Sequence, residues 1–135
     1  MRYAFLTFVA LTACDSPVDN GVTGVDMRGV WSYSGIQESP ALTVVGTLNV
    51  ERQNGRDFSG TVAFSETDVQ GTQTNRTGQL SGRVVGAEAV DFDIFFDEAP
   101  RRHVAAISGD SMYGIWARTG VIPPVTGTYS SKKHP

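Results

Sequence analysis

Cysteine, histidine and tryptophan are scarce in this sequence, and long apolar runs are missing. The 135 residues include one cysteine, two histidines and two tryptophans. A single cysteine excludes an internal disulfide, and His103 and His134 do not stand at the spacing of a metal site. The apolar run from Ala4 to Leu11 is far shorter than the ~18–20 residues that a membrane-spanning helix needs. The sequence therefore predicts neither a metal centre nor a transmembrane helix.

The chain has only a small excess of negative charge, and catalytic motifs are missing. The formal net charge is −3, and a mildly acidic chain is a poor candidate for binding the nucleic-acid backbone. The sequence has no nucleophile elbow, and its many serines fall on predicted turns and outer faces. We therefore predict that the protein is not an enzyme, needs no cofactor and binds no nucleic acid.

The N-terminal residues have the pattern of an export signal: Arg2 is followed by an apolar stretch, which ends in the motif Leu11-Thr12-Ala13-Cys14. This motif resembles the lipobox of bacterial lipoproteins, in which the cysteine becomes the lipidated first residue. The resemblance implies that residues 1–13 are removed, that Cys14 carries the lipid, and that the protein is anchored to a membrane of the bacterial envelope. Several acyl chains at ~0.8 kcal/mol per CH₂ would hold it there stably. A buried thiol in an N-terminal apolar element is the alternative.

The residues after the cysteine predict a spacer followed by one domain. Asp15 resembles the signal that retains lipoproteins in the inner membrane of enteric bacteria, although the choice of membrane stays open. Residues 14–26 are small and polar, so we expect a flexible tether that reaches ~40 Å when extended. Residues 27–135 are enough for a single domain with one core.

From residue 27 onward, apolar and polar residues alternate in short runs that glycine, asparagine and aspartate interrupt. This period of two is typical of antiparallel strands with one buried face. We predict an all-β domain, an eight-stranded antiparallel up-and-down barrel with no substantial helix. The predicted strands lie near 28–37, 42–52, 57–66, 78–86, 88–97, 102–109, 111–119 and 126–132.

The alternation also predicts which side chains point inward. Nineteen bulky residues fall on the inward parity, enough to fill most of an eight-stranded barrel. A repeated apolar-Ser-Gly pattern predicts inward glycines at Gly60, Gly82 and Gly109, where strands would bend. The bulky inward residues are Met27, Trp31, Tyr33, Leu42, Val44, Leu48, Val50, Phe58, Val62, Phe64, Leu80, Val84, Val90, Phe92, Ile94, Phe96, Ile107, Met112 and Trp116.

The motif M-x-G-[V/I]-W occurs twice, at residues 27–31 and 112–116. Its glycines and tryptophans, Gly29, Trp31, Gly114 and Trp116, are predicted structural elements of the barrel. G-x-W resembles the first-strand signature of lipocalins, and the size and glycine-rich meander resemble avidin-like barrels and small bacterial lipoproteins. In lipocalins a basic residue of the last strand covers the tryptophan. The candidates for that partner are Lys132, Lys133 and Arg118.

Some polar residues fall on the inward parity or near the barrel ends. Tyr33, His103 and Trp116 could form a ligand contact at one mouth, although a structural role is the alternative for His103. Glu66, Glu88 and Arg52 are predicted to point inward at strand ends. The acidic run Asp91, Asp93 and Asp97 could suggest a cation site, but we interpret it as a solvated outer face.

These patterns leave two hypotheses for function. The first is a lipid-anchored, monomeric envelope protein that acts without catalysis, by surface contact with a protein or cell-wall component, as an inhibitor would. The second is a barrel that binds a small apolar ligand in a pocket at one mouth.

Overall fold

The computed structural model describes residues 24–97, 99–118 and 120–135. The predicted signal, Cys14 and the tether up to residue 23 lie outside the described residues. The described chain forms a closed, eight-stranded antiparallel barrel, as predicted. Its strands are β1 (Gly29–Glu38), β2 (Ala41–Asn54), β3 (Asp57–Asp68), β4 (Gln73–Val84), β5 (Ala89–Phe95), β6 (Arg101–Ser108), β7 (Ser111–Arg118) and β8 (Val125–Lys133).

Each strand pairs with the next, and β8 returns to pair with β1. In this closing pair Trp31 lies opposite Lys133, and Gly35 lies opposite Tyr129. Closure satisfies the backbone groups that a free sheet edge would expose. No helix among the described residues is long and apolar enough to cross a bilayer.

The largest departure from the predicted strands is the start of β4. We predicted a strand from residue 78, but β4 begins at Gln73 and its first residues pair with β3. The stretch from Gln73 to Thr77 contains no apolar residue, so it has no alternation to detect. Pairing with the end of β3 extends the strand there.

The predicted inward face forms the core. All nineteen predicted residues are buried except Leu42 and Phe96, which are partly buried and lie against the core. Ala105 and Tyr129, which we did not predict, complete the set of buried apolar residues. The barrel interior is therefore filled by its own side chains.

Inward glycines allow close approach between strands at several positions. A Cβ atom on Gly60 would lie 1.8 Å from the Asn49 carbonyl oxygen, and one on Gly114 would lie 1.9 Å from that of Val104. No side chain fits at such distances, so these positions require glycine. The prediction for Gly109 is wrong: β6 ends at Ser108, and Gly109 occupies the following turn with φ of 57°.

A β-bulge between Val50 and Arg52 reverses the predicted parity at the end of β2. Arg52 is exposed, so its predicted inward orientation is wrong, and Gln53 turns inward instead. The prediction for Glu88 is also wrong, because this exposed residue precedes β5 and belongs to no strand. Glu66 does point inward and is buried.

Both described chain ends lie at one end of the barrel, here called the first end; the opposite end is the second end. The Gln53 side chain accepts a hydrogen bond from the Met27 amide (2.7 Å) and donates one to the Val25 carbonyl (2.9 Å). Met27 is buried and Val25 lies against the core. Residues 25 and 26, assigned to the tether from sequence, thus lie against the barrel.

Candidate functional site

The centre of the barrel holds an aromatic cluster with one histidine. Tyr33 of β1 stacks on Tyr129 of β8, with ring centroids 5.1 Å apart, and on Phe64 of β3 at 4.3 Å. His103 of β6 stacks on Phe92 of β5 at 4.7 Å. Strands on different sides of the barrel thus bring their rings together, because each residue lies on the inward parity of its strand.

Hydrogen bonds define the tautomer of His103. Its Nδ1 lies 3.0 Å from the carbonyl oxygen of Arg101, which can only accept, so Nδ1 carries the proton. Its Nε2 lies 3.0 Å from the hydroxyl of Tyr33 and accepts a hydrogen bond from it. Both ring nitrogens are therefore satisfied within the protein.

The protein environment keeps His103 neutral. The side chain is 0% exposed, and burial lowers its pKa to about 3. Repulsion from the Arg101 guanidinium adds to this effect, whereas the hydrogen bond to the Arg101 carbonyl opposes it. Burial also raises the pKa of Tyr33 and of Tyr129. None of these groups exchanges protons readily with solvent near neutral pH, so the cluster is a poor acid–base centre.

The second end of the barrel contains a buried ion pair. The Arg101 guanidinium lies 2.5 Å from one carboxylate oxygen of Glu66, and Arg76 donates to the other oxygen at 2.8 Å. Arg101 is 2% exposed and also lies over the rings of Phe96 (4.8 Å) and Trp116 (5.3 Å). Residues of β3, β4 and β6 therefore form a charged cluster that lies against the aromatic core.

The Trp116 indole nitrogen and the Tyr129 hydroxyl are buried donors that have no hydrogen-bond partner within the described ranges. The Trp116 ring lies against Gly127, where an added Cβ would be 2.4 Å from the indole nitrogen. Buried donors without acceptors cost free energy, so a water molecule or a ligand atom is the ordinary occupant of such positions.

A second cation covers a tryptophan at the first end. The Lys133 amine lies 5.7 Å from the centre of the Trp31 ring and donates to the Asp26 carbonyl at 2.8 Å. The Trp31 indole donates to the Met27 carbonyl at 2.8 Å. A Cβ on Gly29, whose φ is 125°, would lie 3.1 Å from the Lys133 side chain. The glycine of G-x-W therefore leaves room for the basic residue, and Lys133 is the partner among the three candidates.

The structure places the predicted mouth residues together, but in the interior. Tyr33 and His103 share a hydrogen bond, and His103 lies 6.3 Å from Trp116 between ring centroids. All three residues are buried in the core of the barrel. Their contact with a ligand stays a prediction, as does lipidation of Cys14.

Sequence reasoning missed Tyr129 and Arg101. Tyr129 falls on the same parity as Gly127 and Ser131, so the alternation in β8 was a usable signal. Arg101 shares the inward parity of His103, but a charged residue is rarely assigned to a core without knowledge of its partner. Only the fold brings Glu66 to it.

Two carboxylates of the acidic run lie beside an arginine. Arg102 of β6 lies 3.2 Å from the Asp91 carboxylate and 3.9 Å from that of Asp93. Within the described ranges, no group of three or more His, Cys, Asp or Glu residues could hold a metal ion. Asp91 and Asp93 thus lie on an outer face paired with Arg102, whereas Asp97 lies beyond the end of β5, so its predicted place on the same strand is wrong.

The outer surface carries an apolar patch across β1, β8, β7 and β6. Ile36, Thr128, Ile115 and Val104 lie side by side in one row of the sheet. Ile36 is 54% exposed, Ile115 57%, and Tyr113, two residues before Ile115 on the same face, 63%. We call Ile36, Val104, Tyr113 and Ile115 the apolar face. Exposed apolar side chains grouped on one surface mark interaction sites more often than scattered residues do.

Comparison with known proteins shows a likeness in fold only. No protein-family model and no curated protein matches the chain, but solved barrels do. One is described as EF1p2_mFAP2b bound to DFHBI, with 11% identity, a TM-score of 0.63, and coverage of 79% of this chain and 93% of that one. A de novo designed fluorescence-activating β-barrel has 13% identity, a TM-score of 0.60 and the same coverage. A redesigned barrel, mFAP1, bound to DFHBI, has 9% identity and a TM-score of 0.61, covering 79% and 94%.

Proposed function

We propose that this protein is a lipid-anchored envelope lipoprotein that acts without catalysis, by binding another envelope protein through its apolar face. The observation that carries the proposal is the pairing of a filled interior with the exposed side chains of Ile36, Tyr113 and Ile115. A barrel whose core is occupied by its own residues offers its outer surface for recognition. Aromatic and aliphatic residues on such a surface are typical anchors of protein interfaces.

The proposed lipid anchor is inferred from the sequence from Leu11 to Cys14, and it would orient the barrel relative to the membrane. The N-terminal segment enters the barrel at the first end. A lipid attached upstream would hold this end toward the membrane and leave the sides of the barrel accessible. Such an anchored protein meets its partner at the membrane surface without the need for high affinity.

Site-specific photo-crosslinking in the native host tests the partner surface. A photoreactive residue at Ile115 or Tyr113 should capture one recurrent protein, and the same residue at Ser81, exposed on β4, is the control. Ile115→Lys, tested with the photoreactive residue at Tyr113, should abolish capture while leaving the melting temperature unchanged. Equal capture from both faces would contradict the proposal.

Replacement of Cys14 by Ser tests the anchor separately. We expect the variant to leave the membrane fraction, because no acyl chain can be attached to serine by the lipoprotein pathway. Membrane association equal to that of the wild type would refute lipidation at Cys14.

A small-molecule binding barrel is the second candidate, favoured by the buried donors of Trp116 and Tyr129. Two of the similar barrels are described as bound to the small molecule DFHBI. An acceptor-bearing ligand could satisfy both donors if side chains at the second end moved aside. Native mass spectrometry of protein purified from its host should then reveal a bound small molecule; repeated absence of one would count against this function.

A further inference from the structure

The middle of the outer face of β2, β3 and β4 carries uncharged polar side chains. A shallow depression on it is lined by side chains of hydroxyl and amide type around the small Ala63. No ionisable residue lines this depression. The residues that we call the neutral face are Thr47, Asn49, Thr61, Ala63, Thr77 and Gln79.

The strand register arranges these groups in two rows. Asn49, Thr61, Gln79 and Phe95 lie side by side on β2, β3, β4 and β5. With strands ~4.8 Å apart, this row spans about 14 Å. Thr47, Ala63 and Thr77 form the adjacent row, so the missing bulk of alanine creates the depression between two threonines.

Hydrogen-bonding capacity on this face is mostly unused. The side chains of Thr47, Asn49, Thr77 and Gln79 make no hydrogen bond within the described ranges of the chain. Thr61 donates a long hydrogen bond, 3.4 Å, to Glu51 at the margin. Two amides and several hydroxyls therefore offer both donors and acceptors to a partner.

An exposed aromatic ring completes the arrangement. Phe95 is 44% exposed and lies beside Gln79 at the end of the first row. A phenyl ring contacts the C–H face of a pyranose, while neighbouring amides and hydroxyls bond its hydroxyl groups. A protein surface for an anionic polymer would need arginine or lysine, and the depression has neither.

From this combination we infer that the neutral face and Phe95 bind an uncharged polysaccharide chain. The row of four side chains provides an extended contact along the polysaccharide. Phe95 lies at one end of this row, and the small Ala63 leaves room beside the row. This inference does not rest on the proposed protein contact, because the apolar face lies on β1, β6 and β7. An anchored barrel with both surfaces could hold a protein partner close to a glycan.

Affinity electrophoresis of the detergent-solubilised full-length protein tests this inference. The probes are hydroxyethylcellulose and glycol chitin, both uncharged, and polygalacturonate, which is anionic. We expect the neutral polymers to retard the protein and polygalacturonate to have no effect. Retardation should persist from about 0.05 to 0.5 M salt, because screening weakens only charge-driven contacts.

Substitutions test whether the polysaccharide binds at the neutral face and Phe95. Ala63→Trp, which fills the depression, and Phe95→Ala, which removes the ring, should each weaken retardation at least about tenfold. Ala106→Trp, at an exposed outward position of β6, is the matched control and should bind as the wild type does. Melting temperatures of all variants establish that they fold.

Three results would overturn the inference: no retardation by either neutral polymer, retardation by polygalacturonate alone, or equal binding by Ala63→Trp and the wild type. Ile115→Lys separates the two proposals. It should keep polysaccharide binding even though it abolishes capture of a protein partner.

Discussion

Stability of the barrel should fall on mild acidification because of one buried side chain, His103. Its folded pKa is about 3, whereas an unfolded histidine titrates near 6.5. Between these values the unfolded chain binds one more proton than the folded chain, so the free energy of unfolding decreases as the pH falls. The slope is about 1.4 kcal/mol per pH unit, and the loss from pH 7 to pH 5 is about 2 kcal/mol.

The folded pKa needs only to lie well below 5 for this magnitude to hold. The groups that face His103 do not titrate in this range: Tyr33 and Tyr129 have raised pKa values, and Phe92 and Trp116 carry no titratable group. The acid-dependent loss in this window is therefore assigned to the imidazole.

His103→Phe isolates the effect. The variant keeps an aromatic ring in the cluster but has nothing to protonate, although it leaves the Tyr33 hydroxyl without its acceptor. Denaturant unfolding at pH 7, 6 and 5 should show that the wild type loses about 2 kcal/mol more than the variant over this range. Carboxylates elsewhere contribute equally to both proteins and cancel. Parallel pH profiles for the two proteins would refute the assignment.

Three further predictions concern the core. Glu66→Gln should destabilise the barrel by ~3 kcal/mol, since it removes the negative charge 2.5 Å from the buried Arg101 guanidinium. Loss of the more exposed Arg76 should cost ~0–1 kcal/mol. Denaturant midpoints measure both changes. Gly114→Ala should lower the free energy of unfolding by ~1–3 kcal/mol because its Cβ would collide with the neighbouring strand. Gly86→Ala is the control: it has open space around it, and thermal melts should show no measurable loss of stability. Trp31→Ala should cost ~3–5 kcal/mol of unfolding free energy, and an unchanged midpoint would contradict its place in the core.

Much of the candidate site could be predicted residue by residue but not as an arrangement. Parity placed Tyr33, His103 and Trp116 inward, and the structure confirms that all three are buried. Parity could not show that the Tyr33 hydroxyl reaches the His103 ring across the barrel. That contact depends on how far the strands are staggered on closure, a quantity that no single strand contains.

The errors had local causes. Arg52 was misplaced because a bulge adds one residue to β2 and inverts the parity beyond it. Gly109 was misplaced because the third apolar-Ser-Gly pattern spans the end of β6 rather than its interior. A period-two pattern specifies faces only while the strand stays regular.

The sequence by itself determined the number of strands, their faces and nearly all of the apolar core, because alternation is a local property of each strand. The tertiary structure alone decided which charges meet. Glu66, Arg76 and Arg101 come from three strands, and Lys133 reaches Trp31 only because β8 closes on β1. Strand order placed the apolar face and the neutral face on different strands of the outer surface. Contacts between residues distant in sequence follow from register and closure, which are properties of the whole sheet.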